Sequence, residues 1–223
     1  MKITRKYTLG IIGLGHMGTA IARGAVRKEY IERYKIAVYD HSDHAKNDCR
    51  IEGFDNLSSL KELVENSHIV LLAVRPQQVE EVLDEIKDYD IHTLLSIVTG
   101  VSIQHLQSRL NNAPIIRSMP NTPLQINEGA TALCKSENCK ADDYDFVFQL
   151  FATMGVTKTV KEEQMEALRA KLEKTSGKKI HLTQKTDPTV LAGLRVEMEV
   201  KQLDGTVQGR ISDITKKLNE VVV

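Results

Sequence analysis

Three glycines, Gly13, Gly15 and Gly18, sit directly after the apolar run Leu9-Gly10-Ile11-Ile12 and directly before a helical pattern, and they constrain this 223-residue chain more than any other feature. Strand, glycine turn and helix in that order make a dinucleotide-binding turn. Gly13 permits the tight turn, Gly15 lets the backbone approach a pyrophosphate, and Gly18 lets the helix pack closely on the sheet. Leu14, His16 and Met17 complete the turn, and the helix N-terminus offers unpaired N–H groups and a positive dipole end to phosphates. Glycines at this spacing also occur by chance in loops, so the surrounding pattern decides their meaning.

Met17, Ile21 and Ala25 recur at helical spacing after the turn, and Ala20 and Ala22 keep that helix slim enough to lie on a sheet. A second strand, Lys35-Ile36-Ala37-Val38-Tyr39, ends at Asp40, 22 residues beyond Gly18. A carboxylate there can accept hydrogen bonds from the adenine ribose, or it can simply be a turn acid. As a ribose ligand it favours NAD, because a 2′-phosphate beside it would meet a like charge. His41, His44 and Lys46 leave NADP open.

Lys and Arg number 30 against 30 Asp and Glu, so the sequence carries no electrostatic footprint for nucleic acid or an anionic membrane. Apolar runs such as Ile69 to Val74 are far shorter than the roughly 20 residues that span a bilayer. The start, Met1-Lys2-Ile3-Thr4-Arg5-Lys6, has no secretory pattern, and a cytoplasmic location is expected. Cys49, Cys134 and Cys139 are odd in number without C-x-x-C spacing, and the seven histidines form no H-E-x-x-H pattern. Reduced thiols and no metal site are expected.

Leu57, Leu60, Leu63 and Val64 mark a short helix before the apolar strand Ile69 to Val74. Pro76 opens a helix carrying Val79, Val82, Leu83 and Ile86, and Leu94 to Val98 gives a strand broken by Gly100. Ser102 is placed to cap a helix with Ile103, Leu106 and Leu110, and Pro114 to Met119 reads as another strand. Alternating strands and helices predict an α/β, Rossmann-like doubly wound parallel sheet. Ligands on such a sheet bind beyond the carboxyl ends of the strands, here Asp40, Val74-Arg75-Pro76, Thr99-Gly100 and Pro120-Asn121.

Four ordered motifs, Ile12 to Gly18, Ala73-Val74-Arg75-Pro76-Gln77, Ser96-Ile97-Val98-Thr99-Gly100-Val101 and Ile116-Arg117-Ser118-Met119-Pro120-Asn121-Thr122-Pro123, resemble those of pyrroline-5-carboxylate reductases. The resemblance runs from about residue 8 to about residue 163 and takes in Glu128-Gly129-Ala130-Thr131-Ala132 and the Met154-Gly155 region. It implies a reductase of proline biosynthesis in which a nicotinamide delivers hydride to a cyclic imine. It also implies cofactor contacts at Gly13 to Gly18, Asn56, Ala73 to Pro76 and Val98 to Gly100. Arg75 stands where a lysine is usual, and Asp40 where members using NADP often have small or basic residues.

In that family the imine is held by a following helical domain that also builds the dimer and carries a Ser-Gly-Ser/Gly-Pro and a Pro-Gly-Gly-Thr-Thr segment. Neither segment occurs here, and only 58 residues follow Met165. No catalytic residue can be assigned, and a cofactor site without a substrate clamp is expected to be a poor enzyme.

The tail reads as an αββα unit. Met165, Leu168 and Leu172 line a helix closed by Gly177, Lys179 to Thr186 alternates as a strand, and Asp187-Pro188 turns the chain. Leu194 to Val200 alternates again, and Asp204-Gly205 leads into a helix capped by Thr206. Val207, Ile211, Ile214, Leu218 and Val221 form a narrow seam on that helix, fitting its own strands or a partner helix. Glu162-Glu163-Gln164-Met165, Gly177-Lys178-Lys179-Ile180, Thr186 to Val196 and Leu203-Asp204-Gly205-Thr206-Val207 resemble the C-terminal segment of the F-type ATP synthase delta subunit. That resemblance covers about residues 161–223 and implies a stalk-helix partner without catalysis.

The expected organisation is a dinucleotide-binding domain over residues 1–160 and a small α+β domain over 161–223. The sequence does not distinguish a natural fusion from a recombined or artificial chimera. Three functions stay open: an NAD- or NADP-binding, reductase-derived domain, a stalk-type interaction module, and a hybrid with no intact activity.

Overall fold

A computed structural model describes residues 5–167, 195–198 and 201–204. The chain divides into two compact units, Met1–Ala167 and Leu168–Val223. Within the first, an eight-stranded sheet has the order β3-β2-β1-β4-β5-β6-β7-β8. The strands are β1 (Tyr7–Ile12), β2 (Ile36–Tyr39), β3 (Asp55–Asn56), β4 (Ser67–Leu72), β5 (Thr93–Ser96), β6 (Ile115–Pro120), β7 (Gly129–Lys135) and β8 (Gly155–Thr159). The helices are α1 (His16–Arg27), α2 (Asp43–Glu52), α3 (Leu60–Asn66), α4 (Val79–Ile86), α5 (Ile103–Arg109) and α6 (Ala141–Ala152).

The apolar strands are buried on both faces, as a doubly wound sheet requires. Alternate residues along each strand serve opposite cores. Ile69, Leu71, Leu95, Ile116 and Leu133 join side chains of α1, α2 and α6 in one core. Val70, Leu72, Leu94, Ile115 and Cys134 join α3, α4, α5 and Met165 in the other. Serine caps start three helices: Ser42, Ser59 and Ser102 accept from the N–H of Ala45, Glu62 and His105. The cap expected at Ser102 is therefore present.

Two expectations change in detail. The sheet is parallel from β3 through β6, but β7 runs antiparallel to β6, with Met119 opposite Ala132. Only residues 121–128, including a short 3-10 turn at Thr122–Ile126, join these two strands, too few for a crossover helix. Likewise Pro76 opens a 3-10 turn, Pro76–Gln78, before α4 begins at Val79.

In the second unit, β9 (Arg195–Met198) pairs antiparallel with β10 (Lys201–Asp204), and Met198 lies opposite Lys201. Of the strand expected from Leu194 to Val200, Arg195–Met198 is described. Its partner is the segment just after it, β10. The helix expected through Met165 is described from residue 162 to residue 167. Its continuation, the strand 179–186 and the helix from Thr206 lie outside the described residues.

Candidate functional site

The strand order reverses direction between β1 and β4, both of which lie parallel and adjacent. A crevice opens beyond their carboxyl ends at such a switch point. The loop from β1 to α1 forms one wall. Gly13 has φ +91°, a left-handed conformation that disfavours any side chain, and its N–H donates to the Tyr39 carbonyl at 3.0 Å. A Cβ on Gly18 would lie 2.5 Å from the Gly13 carbonyl oxygen, so the helix can approach the turn only with glycine there.

Gly15 is different. It precedes α1 with an ordinary φ of −74°, and a Cβ added to it would meet nothing within 4 Å. Protein packing therefore gives no reason for its lack of a side chain. His16 beside it is exposed, Met17 is half-buried, Leu14 is buried, and the first turn of α1 carries no acid. The leading N–H groups of this twelve-residue helix lack intrahelical partners by position.

Asp40 closes the turn from the end of β2. Its Oδ2 accepts from the Leu14 N–H at 2.7 Å and its Oδ1 from the Ser42 N–H at 2.8 Å. The carboxylate thus acts as a turn acid and as a brace for the glycine loop. Two of its roughly four acceptor positions are used, so hydroxyl donors can still be accommodated. Asn56 is exposed in β3 opposite Val38 of β2.

The other expected residues line the neighbouring strand ends. Ala73 and Val74 are half-buried after β4, and the Ala73 N–H donates to the Ile12 carbonyl at 2.9 Å. Arg75 and Pro76 are exposed. Val98 is buried after β5, its N–H bonded to Ser96 Oγ at 3.3 Å, while Thr99 and Gly100 are exposed and Gly100 has φ +82°. Pro120 ends β6, and Asn121 spends its side chain on structure, its Oδ1 accepting from the Ala130 N–H at 2.8 Å. The strand-end rule therefore gathers the predicted segments, while the side-chain roles differ among them.

Burial pushes the thiols of Cys49, Cys134 and Cys139 up to about 11, and all three are free. They are unreactive thiols at neutral pH.

At the opposite, amino-terminal edge of the sheet lies a cluster that no sequence spacing announces. His68 in β4 and His92 before β5 stack with ring centroids 4.0 Å apart, a consequence of the register that pairs Ile69 with Thr93. Asp143 of α6 reaches both. Its Oδ1 lies 2.9 Å from His68 Nε2, its Oδ2 lies 3.2 Å from His92 Nε2, and Oδ2 also accepts from Thr93 Oγ1 at 2.8 Å. Burial raises the Asp143 carboxyl, but the hydrogen bonds from His68 and Thr93 and the two imidazoles outweigh it and leave it below the usual range. Burial, then His68, holds His92 below its ordinary value. His68 and Asp143 are 75 residues apart in the chain, so only the fold joins them.

Residues 8–100 match the family model described as NADP oxidoreductase coenzyme F420-dependent, and residues 149–218 match ATP synthase delta (OSCP) subunit. The second match begins within α6 and includes β8, so it overlaps the sheet-bearing unit. Pyrroline-5-carboxylate reductase of Glycine max is 30% identical over 215 residues, 94% of this chain and 78% of that protein. Its counterpart in Aquifex aeolicus is 32% identical over 163 residues, 73% of this chain and 60% of that protein. The plant alignment continues past residue 163, so a likeness to reductases extends into the stretch that also matches the delta subunit. Among solved structures, a Plasmodium falciparum pyrroline carboxylate reductase with NADP bound superposes with a TM-score of 0.65 at 27% identity, covering 79% of this chain and 68% of that one. The fold is the nicotinamide-dinucleotide-binding type, and among the described residues no helix is long and apolar enough to cross a membrane. By sequence and by fold, the chain belongs to the pyrroline-5-carboxylate reductase family.

Proposed function

We propose that the crevice between β1 and β4 binds a nicotinamide dinucleotide and that the chain derives from a reductase delivering hydride to a cyclic imine. The observation that carries this reading is the contrast between Gly18, which packing requires, and Gly15, which packing does not. A glycine facing open space at a helix N-terminus suits a pyrophosphate lying against the backbone. Leu14, His16 and Met17 complete that cradle. Asp40, braced on Leu14 and Ser42, presents its remaining acceptors to the adenine ribose, with Asn56 alongside. Ala73, Val74, Arg75 and Pro76 flank the middle of the crevice, and Val98, Thr99, Gly100, Pro120 and Asn121 form the wall toward the nicotinamide end.

The dinucleotide, when bound in reduced form, supplies the hydride. This chain's own residues bind it, orient it and shield one side of it. NAD is preferred over NADP because the Asp40 carboxylate repels a 2′-phosphate. No residue is assigned to catalysis. The division into a dinucleotide-binding domain over 1–160 and a small α+β domain over 161–223 belongs to the same proposal, as does a cytoplasmic location. Titration with NADH and NADPH tests the cofactor reading, and absence of saturable binding of either contradicts it. A pyrroline-5-carboxylate turnover assay with each cofactor tests the activity.

A second reading rests on the match of residues 149–218 to the delta subunit. In it the tail binds a stalk helix and the sheet unit is incidental. Binding of such a helix that survives removal of the sheet unit supports it, and loss of binding on that removal counts against it. A hybrid without intact activity predicts neither cofactor nor helix binding.

A further inference from the structure

We propose that His68, His92 and Asp143 form a zinc site at the amino-terminal edge of the sheet, remote from the dinucleotide crevice. The donor set is two imidazoles and one carboxylate, with one ligand atom from each lying within 4.8 Å of the others. Nitrogen and oxygen donors of this kind suit zinc and its first-row neighbours rather than magnesium or calcium, which take oxygen.

The distances fit a small ion. Tetrahedral zinc with bonds of about 2.0–2.1 Å holds its donors about 3.3 Å apart. Each imidazole nitrogen already stands close to that distance from a carboxylate oxygen, at 2.9 Å for His68 and 3.2 Å for His92. The two imidazole rings stand 4.0 Å apart between centroids with their planes inclined by 35°, which brings both to the same carboxylate.

A second observation points the same way. His92 Nε2 is buried without a hydrogen-bond partner although it lies 3.2 Å from Asp143 Oδ2. Buried polar atoms are almost always satisfied, and a shared ion is one of the few ways to satisfy a nitrogen and a carboxylate oxygen misaligned for a hydrogen bond. Thr93 Oγ1 holds Asp143 Oδ2 at 2.8 Å, the outer support that ligating carboxylates commonly have. His68 and Asp143 are 2% exposed and the His92 side chain is 22% exposed, so the donors are largely shielded from competing water. Arg5 and Lys140 carry positive charge near His92 and oppose a dication. The ionised Asp143 at contact distance outweighs charges that lie farther off. Bound there, zinc would tie together β4, β5 and α6, three elements distant in the chain.

The test uses the whole chain, stripped with a chelator and then titrated with zinc against a chromophoric competitor, with cobalt as a spectroscopic substitute. His92→Gln and Asp143→Asn remove one ligand each, and His105→Gln, at an exposed histidine paired with Glu80, serves as the control. The proposal expects one equivalent of zinc, a tetrahedral cobalt spectrum, and affinity reduced by at least about tenfold in H92Q and D143N but unchanged in H105Q. It also expects zinc to raise the melting temperature of the parent but not of H92Q, a readout that holds if D143N folds poorly. No stoichiometric binding, or binding equal in H92Q and the parent, overturns it.

Discussion

A methyl group separates the two roles that glycine plays in the β1–α1 turn. Gly18→Ala places its Cβ 2.5 Å from the Gly13 carbonyl oxygen and is expected to cost about 1–3 kcal/mol, the range for overpacking, read as a lower denaturant midpoint. Gly15→Ala meets no protein atom and should leave that midpoint unchanged while weakening dinucleotide binding. Asp40→Asn weakens its bonds to Leu14 and Ser42 and removes the charge facing the ribose. Its expected outcome is a loss of NADH affinity of about tenfold or somewhat more, about 1.4 kcal/mol per tenfold and so near the lower end of the roughly 1.5–3 kcal/mol of a hydrogen bond to a charged group, and a smaller preference over NADPH. The buried thiols give a pH prediction. Their folded values of about 11 exceed the ordinary 9.0, so they favour the fold below 9.0, and that contribution is lost as pH rises toward about 11. Stability measured by denaturant titration should fall across that window, and a thiol reagent at neutral pH should react only as the chain unfolds.

Elements made of strong periodic patterns were legible in the sequence. Leu94 to Ser96 and Ile69 to Leu72 announce strands because both faces are buried, although the strands stop two residues short of the apolar runs at Val98 and Val74, and Ser102 announces a cap because its oxygen satisfies a free N–H. Weakly apolar elements were not. Helix α2 is mostly polar, with Ala45 and Cys49 its buried apolar residues, and β3 is only two residues long. The reversal at β7 was hidden because buried Thr131 and Leu133 alternate with Ala130 and Ala132 as they would in either direction. Arg117 shows how an element is anchored by a contact that sequence separation conceals. It is 3% exposed and bonds Glu162 at 2.9 Å and Glu166 at 2.5 Å, holding the helical turn around Met165 against the sheet. Arg117→Met should destabilise the chain by about 2 kcal/mol, below the roughly 3–5 kcal/mol of a fully buried pair because both glutamates reach solvent. Faster proteolysis near residues 161–167 is the accompanying readout.

At the scale of the whole molecule, the grouping of strand ends into one crevice was readable, because the topology gathers segments from residues 13 to 121 at the carboxyl ends of parallel strands. The cluster of His68, His92 and Asp143 was not, since no rule gathers residues at the amino ends. The same topology makes binding a property of the sheet-bearing unit. Residues 1–167 alone are expected to keep dinucleotide affinity within about threefold of the full chain, since each threefold is only about 0.65 kcal/mol. The central claim is that Gly15 is glycine for a ligand rather than for the fold. Isothermal titration of NADH into the parent and Gly15→Ala, beside their denaturant midpoints, tests it most directly. Saturable binding by the parent, at least about tenfold weaker in the variant at equal stability, is the predicted result. No saturable binding by the parent, or equal binding by both, would contradict it.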